Sequence, residues 1–135
     1  MRTKILVTAG IFSLLATLLV VMYGYGQHQT PSIKASIDFP FTVEGKVLPA
    51  GQYEFVRDSL AEVFRIKGEN KNAAVAEIIT RLYAGTHRTP EDAHLVFDVV
   101  GDAYALSEIW IPGEDGYVML ITKGMHKHRV LNIKY

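Results

Sequence analysis

Apolar and polar residues alternate along most of the chain, at the period of two that marks strands with one buried face. Ile37, Phe39, Phe41 and Val43 alternate with Ser36, Asp38, Pro40 and Thr42. Pro40 has no N–H to give a ladder, so this strand is predicted at an edge or with a bulge. Leu48-Pro49-Ala50-Gly51 reads as a turn, with proline presetting the first corner and glycine closing it. Residues 53–56 and 63–66 follow as strands across a polar connection holding Asp58 and Ser59, and residues 67–72 (KGENKN) form a loop by composition. Leu95, Phe97 and Val99 then alternate with His94, Val96 and Asp98. Gly101-Asp102 joins that strand to Tyr104, Leu106, Glu108 and Trp110, a two-residue hairpin signal. Pro112-Gly113-Glu114-Asp115-Gly116 makes the next turn, and residues 117–122 the next strand. Val130, Leu131 and Ile133 give the tail enough apolar character to pair with a sheet.

Residues 73–83 fit two periods. Val75, Ile78, Ile79 and Leu82 fall at helical spacing, with Asn72 as N-cap and Gly85 as stop. At period two, Ala74, Ala76, Ile78, Thr80 and Leu82 share one side, and Val75, Glu77, Ile79, Arg81 and Tyr83 the other. All neighbouring segments are β and a lone helix needs its own face to bury, so strand is favoured. Residues 86–92 (THRTPED) are then a polar loop. About seven short strands with frequent turn signals predict an all-β fold, a small antiparallel sandwich or open barrel.

The alternation stops at the N-terminus. Arg2 and Lys4 precede an apolar run over residues 5–22, broken only by Thr8, Gly10, Ser13 and Thr17. A basic start ahead of such a run is an export signal. Gly24-Tyr25-Gly26 meets the small-x-small cleavage pattern and makes Gln27 the new terminus, so residues 1–26 read as a signal peptide and 27–135 as a single β domain. The run also approaches the roughly 20 residues that span a bilayer, which keeps an uncleaved anchor open. Arg2 and Lys4 hold the N-terminus inside in either case, so the domain is expected in the periplasm, secreted, or membrane-anchored outside the cytoplasm.

Composition narrows the chemistry. The chain has no cysteine, which excludes disulfides, thiolate metal sites, cysteine nucleophiles and a lipid anchor on a leader cysteine. Its formal net charge is +0, far from the basic balance of a nucleic-acid binder. The charges are segregated, however. Glu91, Asp92, Asp98, Asp102, Glu108, Glu114 and Asp115 form an all-acidic stretch, whereas Lys123, Lys127, Arg129 and Lys134 are all basic, with His126 and His128 between. Solvated strand faces account for this pattern, as does a basic C-terminal segment docked on an acidic surface of this chain or of a partner.

The segments Phe39-Pro40-Phe41-Thr42-Val43 and Lys46-Val47-Leu48-Pro49-Ala50-Gly51-Gln52-Tyr53 are followed later by Leu95-Val96-Phe97, Gly101-Asp102-Ala103-Tyr104 and Leu106-Ser107-Glu108-Ile109-Trp110. With the leader, they resemble a family of small uncharacterised secreted bacterial β proteins. Those share a PF.FTV.GK.LPAG.Y opening and an LVF...GD.Y.LS..W centre. The resemblance covers most of residues 37–110 and implies a β fold and an extracytoplasmic location, and it supplies no mechanism, cofactor or catalytic residue.

Three kinds of chemistry are represented among the side chains. His126-Lys127-His128 places two imidazoles at i and i+2, on one face of a strand, where they can chelate Zn²⁺, Cu²⁺ or Ni²⁺ with a third ligand from His94 or an acid. Tyr104, Glu108 and Trp110 fall on one side of their strand, with Leu106, and offer a ligand-binding face for sugar or peptide. A small secreted hydrolase needs either a nucleophilic serine or a carboxylate pair. Ser107 sits in a plain strand without a G-x-S-x-G elbow, and Asp98 with Glu108 is the pair to consider. The expectation is a non-catalytic exported β module, acting by binding or assembly with an envelope or extracellular partner. Metal binding by His126 and His128 is the main alternative, and an edge strand offers a route to homo-oligomers.

Overall fold

The computed structural model describes residues 30, 32–82 and 93–133. The predicted export segment, its predicted cleavage site at Gln27 and the loop predicted over residues 86–92 lie outside the described residues. Among those described there is no helix, and eleven strands form two sheets. The first sheet has four strands in the order β1 (Ser32–Ile37), β4 (Gly51–Asp58), β5 (Val63–Gly68) and β6 (Ala73–Glu77). The second runs β11 (Lys127–Asn132), β8 (His94–Val100), β9 (Ala103–Trp110), β10 (Gly116–Val118) and β7 (Thr80–Leu82). The short β2 (Phe41–Val43) joins this sheet beside β9, and β3 (Lys46–Leu48) pairs with β2. The two sheets form an open all-β sandwich that does not close into a barrel.

There are more strands than the alternation predicts because two continuous runs are shared between the sheets. Ile33, Ala35, Ile37, Phe39, Phe41 and Val43 are all buried, an unbroken period of two. The ladder nonetheless breaks at residues 38–40, where Pro40 stands between β1 of one sheet and β2 of the other. The proline therefore marks a sheet-switching corner. Of the segment predicted as strand over residues 73–83, residues 73–77 and 80–82 are strand, and it too changes sheet. Ile78 N donates to Glu62 O at 3.0 Å on the first sheet, and Ile79 N donates to Val118 O at 2.8 Å on the second.

Aromatic rings from both sheets meet in the core. Phe97 takes Phe39 edge-on at 5.0 Å and Phe41 at 5.6 Å, and Phe64 meets Tyr117 at 5.3 Å. Near them Arg57 of β4 reaches across the sandwich. It donates to Glu114 at 2.7 Å and to the Tyr117 hydroxyl, which itself donates to Glu114 at 2.6 Å. Burial, then the bond to Glu114, pushes the Tyr117 hydroxyl up to about 12.

The β8–β9 hairpin turns on Gly101-Asp102 as expected, with Val100 opposite Ala103 and Gly101 at φ +61°. Further along, β9 carries a bulge. Val96 faces Glu108 while Phe97 faces Leu106, so Ser107 has no opposite number. Its hydroxyl donates to Val96 O at 3.1 Å, and its carbonyl accepts from Met119 N at 2.8 Å. The strand expected over residues 117–122 ends at Val118 for this reason: the chain bends to the bulge at Met119.

Candidate metal centre

The C-terminal strand lies antiparallel on β8 and sets His128 directly across from Asp98. Asp98 shares the face of Val96, away from Leu95 and Phe97, which point into the core. It is only 2% exposed, and a carboxylate buried that far needs a partner. His128 Nδ1 lies 2.9 Å from Asp98 Oδ1, and His126 Nε2 lies 3.7 Å from Oδ2. The two imidazoles meet edge to face at 4.9 Å. One ligand atom from each of Asp98, His126 and His128 falls within 4.8 Å of the others. His126 sits one residue before β11, so both rings reach the same carboxylate although only His128 is in the ladder.

The hydrogen-bond pattern leaves this carboxylate short of donors. Asp98 Oδ1 is buried and no protein donor is aligned on it, the 2.9 Å approach of His128 being close but misdirected for a hydrogen bond. His126 Nδ1 is 2.9 Å from Gly124 O, and a carbonyl only accepts, so Nδ1 carries the ring proton. Nε2 is then the ring atom turned toward Oδ2, the position for a second proton or a cation. A proton on Nε2 answers Oδ2 alone, whereas one cation among the three side chains answers both oxygens. Two ligands at about 2.0–2.1 Å from a tetrahedral ion stand about 3.3 Å apart, so small rotations bring these donors to ligating distance. The Nδ1–H bond to Gly124 also resembles the outer hydrogen bond that orients metal-bound histidine.

Of the third partners expected, His94 or an acid, the structure brings the acid Asp98 beside the two imidazoles. His94 instead stacks on Trp110 at 5.3 Å and 16°. The predicted face of Tyr104, Glu108 and Trp110 is divided, because the bulge at Ser107 shifts the alternation by one residue. Tyr104 packs on the core against Phe39 at 4.5 Å, with Leu106 buried beside it. Beyond the bulge Ile109 and Ile111 take the inward positions, which leaves Glu108 and Trp110 on the outer face, where Trp110 Nε1 donates to Glu108 at 2.7 Å. Ser107 is a buried bulge residue and not part of a plain strand, and its hydroxyl is engaged by Val96 O. Asp98 and Glu108 face Ala105 and Val96 across the hairpin. One carboxylate is drawn to the imidazoles and the other to the indole.

The basic C-terminal segment docks on this chain's own acidic side chains, since Arg129 also reaches Asp38 at 3.3 Å while its guanidinium covers the Phe39 ring at 3.9 Å. Comparisons with protein-family models, with characterised proteins and with solved structures return no match, so the candidate centre is read from its own geometry.

Proposed function

We propose that the chain is an exported, non-catalytic β module that binds a divalent transition-metal ion through Asp98, His126 and His128. The observation that carries this reading is the buried Asp98 carboxylate, with Oδ1 lacking an aligned donor and Oδ2 facing Nε2 of His126, beside a second imidazole. Two imidazoles and a carboxylate suit Zn²⁺, Cu²⁺ and Ni²⁺, and a chain without cysteine offers no thiolate for Cu⁺. Three protein ligands leave a coordination position for water or an incoming ligand. The His128 side chain is 53% exposed, so that position opens toward solvent and suits exchange with an envelope or extracellular partner. The basic start and apolar run of residues 1–26, with the motif resemblance, support a location outside the cytoplasm.

Thermal unfolding with added Zn²⁺ or Cu²⁺ tests the reading. An ion bound only by the native state at 100 times its Kd stabilises by about 2.7 kcal/mol, or roughly 10–20 °C in a domain of this size. His126→Ala and His128→Ala are each expected to remove that shift while the metal-free variants stay folded. No shift with either ion at millimolar concentration overturns the proposal.

A further inference from the structure

We infer that the bound ion fastens the C-terminal strand, so that seating of β11 on β8 depends on metal; the inference rests on the metal reading above. The ligands come from two separate pieces of chain. Asp98 belongs to β8, inside the sheet, whereas His126 and His128 both belong to the segment that enters β11. An ion held by all three is a cross-link between the strand and its only ladder partner among the described residues.

Beyond its six-pair ladder with β8, that strand has few other holds. It is the edge of its sheet, and its free side faces β1 across a cleft of about 360 Å³ lined by Lys34, Ala35, Ser36, Leu131, Asn132 and Ile133. Among the described residues no ladder therefore holds it from the other sheet. On its outer face Val130 is 54% exposed, and on the approach Ile121 and Met125 are exposed. On its inner face Arg129 covers Phe39, Leu131 packs at the core margin and Ile133 is buried. Opposing this burial is Asp98, since the β11 side chains that cover the carboxylate take away its water and leave Oδ1 without an aligned hydrogen bond. Docking and ion binding then favour each other by the same factor, because the coupling between two binding equilibria is reciprocal.

Amide hydrogen exchange on the full chain, with and without saturating Zn²⁺, tests this. In the metal-free chain the β11 amides are expected to exchange faster than those of β5 by about ten-fold or more, and Zn²⁺ to slow them by about ten-fold or more. Asp98→Asn gives a sharper test. The amide keeps the shape and removes the buried charge, so β11 is expected to be protected without metal and indifferent to it. Zn²⁺ that binds while slowing β11 and β5 equally, from equal starting rates, overturns the inference and leaves the metal reading standing. So does an Asp98→Asn chain whose β11 exchanges as fast as in the metal-free parent. Failure of Zn²⁺ and Cu²⁺ to bind at all removes both.

Discussion

Replacing Gly116 with alanine asks for a methyl group where the indole of Trp110 already lies. Gly116 is paired with Trp110 across the β9–β10 ladder, and a Cβ built there stands 2.6 Å from Cζ2 and 2.7 Å from Cε2 and Cη2 of the ring. Ordinary carbon contacts begin near about 3.5 Å, so the ring must withdraw by roughly 1 Å. It is not free to do so, being stacked on His94 and hydrogen-bonded to Glu108 at 2.7 Å. Overpacking of this kind costs about 1–3 kcal/mol, while alanine in place of glycine recovers about 0.4–1 kcal/mol from the unfolded chain. The φ of Gly116 lies outside the left-handed region, so no backbone strain is added. The net expectation is a loss of about 1–2 kcal/mol, or roughly 5–15 °C in melting temperature. Urea unfolding followed by circular dichroism measures it, and emission from Trp110, the single tryptophan, reports the displaced ring. In a Trp110→Ala background the same substitution meets no ring and its cost should largely disappear, a coupling that the double-mutant cycle isolates. An equal cost in both backgrounds, or no cost in either, refutes the argument.

Gly101→Val is a contrasting case, because a Cβ there meets nothing within 4 Å and the φ of +61° alone carries the penalty. The expected loss is about 1–2 kcal/mol, and an unchanged urea midpoint contradicts it. Tyr117 makes the domain sensitive to alkali. Its folded-state pKa of about 12 lies above the ordinary tyrosine value of 10.0, so its contribution is complete below pH 10 and is lost as pH rises toward 12. Tyr117→Phe should therefore melt lower at neutral pH yet lose less stability over that alkaline window; parallel curves for the two proteins argue against the assignment.

The β class was legible in the chain because alternation directly reports which residues face inward, and Ile33 to Val43 keep the period without a fault. Which sheet each half of that run joins was not legible. Both sheets bury the same face, and the exchange at Pro40 leaves the period intact. The switch at Ile78 and Ile79 was no more legible, because Thr80 to Leu82 beyond it are all exposed and report no face. The face assigned to Tyr104, Glu108 and Trp110 failed for a different reason. One unpaired residue at Ser107 reverses the parity of everything after it, and serine in a strand gives no local sign of a bulge.

The candidate centre was half visible. His126 and His128 stand out as a pair, but their partner depends on the register between β8 and β11, which the hydrophobic pattern of either strand does not specify. Asp98 did carry a signal: it is the one charged residue within the apolar stretch 95–100. An acid in such a strand is either solvated on an open face or met by a cation. Only the ladder opposite, which brings His128 across from it, decides between them.

The most direct measurement is calorimetric titration of the chain with Cu²⁺ and with Zn²⁺, repeated on Asp98→Asn, His126→Ala and His128→Ala. The account predicts one ion per chain, bound more tightly for Cu²⁺ than for Zn²⁺, with affinity falling by about ten-fold or more in each variant. Binding that survives loss of the Asp98 carboxylate, or no binding by the unaltered chain, contradicts it.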